Sequence, residues 1–140
     1  MAADFKELLQ EYSQRADGYL RAVLQAEPQQ RSRTFLYVQL RGYVCSKFML
    51  EPDECASDSL TALSEASVAK VARIPQGEVA ERDLSMNCAG ISSVETKKIL
   101  LIIALARALG IKLPPSLATE AETVDDLAAA VETALAQQNT

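Results

Sequence analysis

Hydrophobic residues recur every three or four positions over the first part of the chain. From Phe5 onward they fall at Leu8, Leu9, Tyr12, Ala16, Tyr19, Leu20, Val23 and Leu24. This spacing is typical of an amphipathic helix with one apolar face. Pro28 and the polar residues that follow it end the helix.

A second segment runs from Thr34 to Leu50. Its apolar residues Tyr37, Leu40, Val44 and Phe48 share one helical face, although its first residues favour strands and an internal glycine weakens a helix. We interpret the segment as a helix. Residues 1–52 are therefore predicted to form an N-terminal helical hairpin, and Pro52 marks its boundary with residues 53–140.

Three further helices are predicted after this boundary. One starts at Ser57 or Asp58 and ends near Arg73, and a loop over 74–91 follows it. The next runs from about Ser93 to Leu109, where Gly110 suits the left-handed turn that closes a helix. A last helix begins near Thr123. These elements predict an all-α fold.

The run from Ile99 to Ala106 contains no polar residue. A helix that is apolar on every side is normally buried on more than one side. We therefore expect the hairpin to pack against this helix, so that residues 1–52 and 53–140 form one compact unit. A homodimer contact would serve the same purpose.

Charge is divided unevenly along a chain that carries 19 acidic and 14 basic residues. The first 50 residues hold seven basic and five acidic groups, whereas the remainder holds seven and fourteen. No short stretch concentrates lysine and arginine, which argues against nucleic-acid binding and favours protein partners. The opposite charges of the two parts favour their docking.

The cysteines and the lengths of the apolar runs indicate the cellular location of the protein. Cys45, Cys55 and Cys88 form no C-x-x-C pair and the chain has no histidine, so we expect isolated thiols and neither a disulfide framework nor a metal site. The first residues lack the basic and then apolar pattern of a signal peptide. No apolar run approaches the roughly 18 residues of a membrane span. We expect a cytoplasmic protein.

The sequence over about 57–136 resembles the acyl carrier protein family in the identity and spacing of several residues. Ile74, Val79, Gly90 and Ser93 keep the intervals that the family shows before its attachment helix. Leu109-Gly110-Ile111-Lys112-Leu113-Pro114 resembles the segment after that helix. Glu122-Thr123-Val124-Asp125-Asp126-Leu127 resembles the start of the last helix.

This resemblance implies an acyl-carrier-like helical bundle with the hairpin added in front. It also implies that the chain is a phosphoprotein in which Ser93 carries 4′-phosphopantetheine. The arm would present an acyl or aminoacyl thioester to biosynthetic enzymes of lipid or secondary metabolism, after loading by a phosphopantetheinyl transferase. The carrier itself would not be an enzyme, since the chain also lacks a nucleophile and base pair and a glycine-rich phosphate loop.

Two departures from the family pattern leave alternatives open at the attachment point. Ser92 stands where the family has aspartate, and the stretch from Ser93 to Leu109 is about two residues longer than the family's. If the extra residues lie in the preceding loop, Glu95 is the residue that aligns with the family's attachment serine. Its side chain has no hydroxyl to which phosphopantetheine could be attached. Ser92 and Glu95 also fit a capping box, which needs no cofactor. The alternative function is a carrier-like interaction module without a prosthetic group.

Three further groups of residues receive structural interpretations. Lys97 and Lys98 are either a docking patch or a solvated edge, whereas carriers usually present acidic residues on this helix. Asp58-Ser59-Leu60 repeats the family's attachment tripeptide but is interpreted as an ordinary helix start. The acids Glu120, Glu122, Asp125 and Asp126 are attributed to the start of the last helix rather than to a metal.

Overall fold

The computed structural model describes residues 2–73, 94–114 and 116–138, with side chains from residue 6 onward. Within these ranges the chain forms helices and no named strand. The helices are α1 (Ala2–Gln25), α2 (Arg33–Lys47), α3 (Leu60–Arg73), α4 (Val94–Leu109), α5 (Leu117–Glu120) and α6 (Val124–Gln138), with 3-10 turns at Pro28–Gln30 and Pro52–Glu54. The predicted all-α fold is confirmed. None of the described helices is both long enough and apolar enough to cross a membrane.

The ends of α2 and α4 show why these segments are helical. Ser32 precedes α2, and its side chain accepts a hydrogen bond from the amide of Phe35 at 3.1 Å. This cap, together with the buried apolar face of α2, outweighs the strand-favouring residues at its start. Gly110 has φ +65° after α4, and the Ile111 amide donates to the Ala106 carbonyl at 3.1 Å. This Schellman closure agrees with the prediction for Gly110.

The end of α2 uses the same geometry without a glycine. Met49 has φ +61°, and the Leu50 amide donates to the Cys45 carbonyl at 2.8 Å. A left-handed conformation costs a residue with a side chain roughly 1–2 kcal/mol. The Met49 side chain is buried in a small cluster with Tyr12 and Val71, which offsets that cost.

One hydrophobic core joins the hairpin to the C-terminal helices. α1 packs on α2, α2 packs on α6, and α3 packs on α4. The core residues with no exposed surface come from α1, from α2 and the turn after it, from α4 and from α6: Val23, Leu36, Leu40, Val44, Phe48, Leu101, Leu105, Val124, Leu127, Ala128 and Val131. Each large side chain buried in this way contributes roughly 1.5–3 kcal/mol relative to exposure. The hairpin therefore shares its core with α4 and α6.

The run from Ile99 to Ala106, which we expected to be buried on more than one side, keeps one exposed face. Leu101, Ile102 and Leu105 lie in the core. Ile99 and Ile103, however, remain 43% and 41% exposed. The physical reason is that the hairpin meets the C-terminal helices chiefly through α2 on α6, while α1 touches α4 only slightly. One face of α4 is therefore left uncovered.

Ion pairs link the basic hairpin to the acidic remainder. Arg33 pairs with Asp125 at 3.1 Å and Arg41 pairs with Asp58 at 3.2 Å. These contacts join the two parts with the signs that the charge division predicts. All four side chains are substantially exposed, so each pair contributes about 0–1 kcal/mol.

The prediction of isolated thiols is wrong for two of the three cysteines. Cys45 and Cys55 are joined by a disulfide, with their Cα atoms 6.4 Å apart. The turn at Met49 and the 3-10 turn Pro52–Glu54 reverse the chain and bring the two cysteines together. The pairing arises from this reversal and needs no short cysteine motif. Cys88 lies outside the described residues.

Candidate functional site

The predicted attachment point lies at the edge of what the structure describes. Ser93 lies outside the described residues, as do the other family-spaced positions Ile74, Val79 and Gly90, and the predicted loop over 74–91. The described part of α4 begins at Val94, the residue that directly follows Ser93 in the chain.

Glu95, the alternative residue in the attachment register, is described. It lies in the first turn of α4 and its side chain is exposed. A carboxylate near a helix N-terminus is stabilised by the helix dipole. This role requires no prosthetic group. The Ser92 half of the proposed capping box lies outside the described residues.

Neither interpretation of the lysine pair holds for Lys97. Its side chain is completely buried, and its ammonium nitrogen lies 5.7 Å from the centroid of the Phe48 ring. Because Leu101 and Leu105 follow at intervals of four residues, Lys97 belongs to the buried face of α4. This spacing was the signal in the sequence that indicated burial. The aromatic ring provides a cation–π contact for the charge.

Lys98 lies at the side of α4, where its Nζ contacts Thr61 Oγ1 of α3 at 3.3 Å. The two lysines therefore point to different surroundings. They do not form one basic docking patch on the surface.

The exposed side of α4 carries four side chains at intervals of four residues. They are Glu95, Ile99, Ile103 and Arg107, and we call this row the α4 face. Its two charges stand at the ends and its two isoleucines in the middle. The sequence shows the apolar run but does not indicate which side of it stays exposed.

The literal copy of the family tripeptide is a helix start, as predicted. The Ser59 hydroxyl oxygen accepts a hydrogen bond from the Ala62 amide at 3.2 Å and so caps α3. The adjoining backbone is also paired, because the Leu60 amide donates to the Glu122 carbonyl at 2.9 Å. Ser59 and Thr123 form an isolated antiparallel bridge. Ser59 is therefore used in holding the starts of α3 and α6 together.

Two of the acids near the start of α6, Asp125 and Asp126, have structural partners. The Asp126 carboxylate accepts from the amides of Glu122 at 3.0 Å and Thr123 at 3.1 Å, and these bonds lower the pKa of Asp126. The Thr123 hydroxyl in turn accepts from the Asp126 amide at 3.0 Å, which completes a capping box. Asp125 pairs with Arg33. Across the described ranges, no group of three or more metal-ligating side chains is present.

A groove between α1, α2 and the segment after α2 was not identified from the sequence. It has a volume of about 330 Å³, and its lining includes Tyr19, Tyr37, Arg41 and the Cys45–Cys55 disulfide. The Arg41 guanidinium donates to the Cys55 carbonyl and to the Asp58 carboxylate. No motif indicated this groove, because its residues come from separate parts of the chain.

The packing around this groove depends on a glycine. A Cβ atom at Gly42 would overlap the Tyr19 ring, so the absence of a side chain allows that ring to lie against α2. The Tyr37 hydroxyl donates to Asp58 at 2.6 Å, and this bond raises the pKa of Tyr37. The groove is thus largely apolar with polar groups that already have partners within the chain.

Two glutamates between the hairpin and α3 are held as carboxylates. Glu51 accepts from Arg15 at 2.6 Å and from Tyr12 at 2.9 Å, and these bonds lower the pKa of Glu51. Glu54 accepts from Lys70 at 2.6 Å, which lowers the pKa of Glu54. In both cases a bond to the ionised form favours that form.

These lowered pKa values predict that acid weakens the fold. The ionised carboxylates stabilise the folded state above their ordinary pKa of 4.5, and this contribution is lost as pH falls through the lower folded-state values. Glu54→Gln should make the loss of stability in acid smaller by about 1 kcal/mol or less, because the Glu54–Lys70 pair is partly exposed. Urea unfolding measured from neutral pH to below 4.5 tests this. Glu65→Gln controls for removal of one negative charge, and an unchanged pH dependence in Glu54→Gln would contradict the prediction.

Comparisons of the chain with models of protein families, with curated proteins and with solved structures give no match.

Proposed function

We propose that this chain is an acyl-carrier-like protein that presents an acyl or aminoacyl thioester on 4′-phosphopantetheine attached to Ser93. The observation that carries the proposal is the exposed Glu95 side chain in the first described turn of α4, two residues after Ser93 in the chain. Attachment of an arm requires an accessible hydroxyl near a helix start, and an exposed side chain in this turn supports that placement.

The arrangement of the C-terminal helices supports the same proposal. α3, α4, the short α5 and α6 follow one another in the order that the resemblance implies. The α3 start is paired with the α6 start through Ser59 and Thr123, and α4 closes at Gly110. Ser59 is engaged as a cap, which leaves Ser93 as the serine that fits the family's spacing.

Attachment of the arm requires only that the protein supply a hydroxyl group in a favourable electrostatic environment. Unpaired amides and the positive end of the dipole at a helix N-terminus stabilise a phosphodiester. The prosthetic group supplies a thiol on which cargo is held as a thioester. The chain supplies the attachment oxygen and a surface for partner enzymes. On this proposal the partners are a phosphopantetheinyl transferase and acyl-transferring enzymes of the cytoplasm.

The test is modification by a broad-specificity phosphopantetheinyl transferase with coenzyme A, followed by mass spectrometry of the intact protein. The wild-type chain should gain the mass of one phosphopantetheinyl group, and Ser93→Ala should gain none. Peptide mapping should locate the group on Ser93.

Two matched variants make the result specific to this serine. Ser59→Ala removes the hydroxyl of the literal family tripeptide, and Ser92→Ala removes the neighbouring hydroxyl. Both should still be modified if they fold, which circular dichroism checks. An unmodified wild-type chain, or modification that persists in Ser93→Ala, would refute the carrier proposal.

A second candidate is an interaction module with the carrier arrangement and no prosthetic group. The observation that favours it is the composition of α4, whose exposed face has a single acid and two isoleucines where carriers usually present several acids. Docking of ordinary carrier-dependent enzymes would lose favourable charge pairing at this face. In affinity purification from the native source, identical partners for unmodified wild type and Ser93→Ala would favour the module. Loss of partners in Ser93→Ala would favour the carrier.

A further inference from the structure

The α4 face is self-complementary. Glu95 lies at its N-terminal end, Arg107 at its C-terminal end, and Ile99 and Ile103 between them. Reversing the direction of the helix exchanges the two charges and the two isoleucines. A second copy laid antiparallel would therefore oppose Glu95 with Arg107 and Ile99 with Ile103 in both directions.

The geometry of the row suits contact between helices. Residues at intervals of four form a ridge on a helix surface, and ridges of this kind from two helices pack together in the commonest class of helix crossing. This packing aligns the two ridges, so that the ends of one meet the ends of the other. The row from Glu95 to Arg107 extends over about 18 Å of helix, at 1.5 Å per residue.

The charges and the apolar centre are available for this contact. Among the described residues, neither Glu95 nor Arg107 forms an ion pair. Ile99 and Ile103 are the exposed large hydrophobic residues of α4. Lys98 is directed to Thr61 of α3 and so stands at the side of the row.

We propose that the α4 face is a self-association surface whose occupant is the α4 face of a second copy, packed antiparallel about a twofold axis. An isologous contact of this kind requires a self-complementary patch, which the row provides. One pair of crossing helices covers less than the roughly 800 Å² per partner of a standard interface. The dimer is therefore weak, forms reversibly, and occupies the helix that follows Ser93.

Sedimentation velocity over a wide protein concentration range tests the proposal. The wild-type chain should shift from monomer to dimer as concentration rises. Ile99→Gln with Ile103→Gln should weaken association about tenfold or more, because the apolar centre is lost. The matched control is Val38→Gln, which changes an even more exposed hydrophobic residue on α2, at 54%, and should leave association unchanged.

Charge reversal tests the antiparallel arrangement. Glu95→Arg alone and Arg107→Glu alone each place like charges opposite one another, so each variant should remain monomeric at concentrations where wild type dimerises. An equimolar mixture of these two variants should associate, because every facing pair is then of opposite sign. The double variant carrying both changes should also associate.

The outcomes decide the proposal independently of Ser93. All measurements use unmodified protein, so a failed attachment experiment does not affect them. A wild-type chain that stays monomeric throughout would overturn the proposal and assign the α4 face to a different partner. Association that survives the Ile99→Gln and Ile103→Gln changes would overturn it by placing the contact elsewhere.

Discussion

Replacing Phe48 with alanine is expected to lower the free energy of unfolding by about 3–5 kcal/mol. Phe48 has no exposed surface and lies in the core shared by α2, α4 and α6. Its ring also lies 5.7 Å from the buried Lys97 ammonium. The substitution therefore leaves a cavity and removes a cation–π contact from a charge that has little access to water.

Urea unfolding followed by circular dichroism measures this effect. Phe48→Leu keeps an apolar side chain and should cost less than Phe48→Ala. Phe35→Ala makes the same change at a partly buried position of α2 and should also cost less. A loss below about 1 kcal/mol in Phe48→Ala would contradict the shared core. Separate transitions for the hairpin and the C-terminal helices would contradict it as well.

Reduction of the Cys45–Cys55 disulfide is expected to lower the free energy of unfolding by about 2–3 kcal/mol. The bond closes a short loop, with a sequence separation of 10 residues. In the chain-entropy description, opening such a loop returns conformational freedom to the unfolded state.

Thiol counting and unfolding with and without reductant test this prediction together. In denaturant without reductant, one of the three cysteines, Cys88, should react, and all three should react after reduction. Cys88→Ala should keep the dependence of stability on reductant, whereas the double change Cys45→Ala and Cys55→Ala should lose it. Three reactive thiols before reduction would contradict the pairing.

The helices themselves were predictable from local patterns. The apolar spacing from Leu8 to Leu24 and from Tyr37 to Phe48 located α1 and α2. Gly110 located the end of α4, and the turn at Pro52 separated the hairpin from α3. Each of these signals acts through neighbouring residues, because capping and helical spacing involve only one or two turns of chain.

The candidate site was predictable to a smaller extent. The resemblance predicts Ser93 as the attachment residue, and Ser93 lies outside the described residues, although α4 lies where a helix was predicted. The same reasoning treated Lys97 as a surface residue, although its spacing from Leu101 indicated the buried face. Composition alone did not reveal that burial, since lysines are rarely buried unless they have partners.

By itself, the sequence determined where the long helices lie, that Gly110 closes α4, and that the two parts of the chain carry opposite charges. Tertiary structure decided that Lys97 lies over Phe48, that Cys45 pairs with Cys55, and that α2 packs on α6 while Ile99 and Ile103 stay exposed. The physical reason is that helical periodicity is set by neighbours along the chain. Which face of a helix is buried depends on residues far apart in sequence, and these meet only when the helices pack.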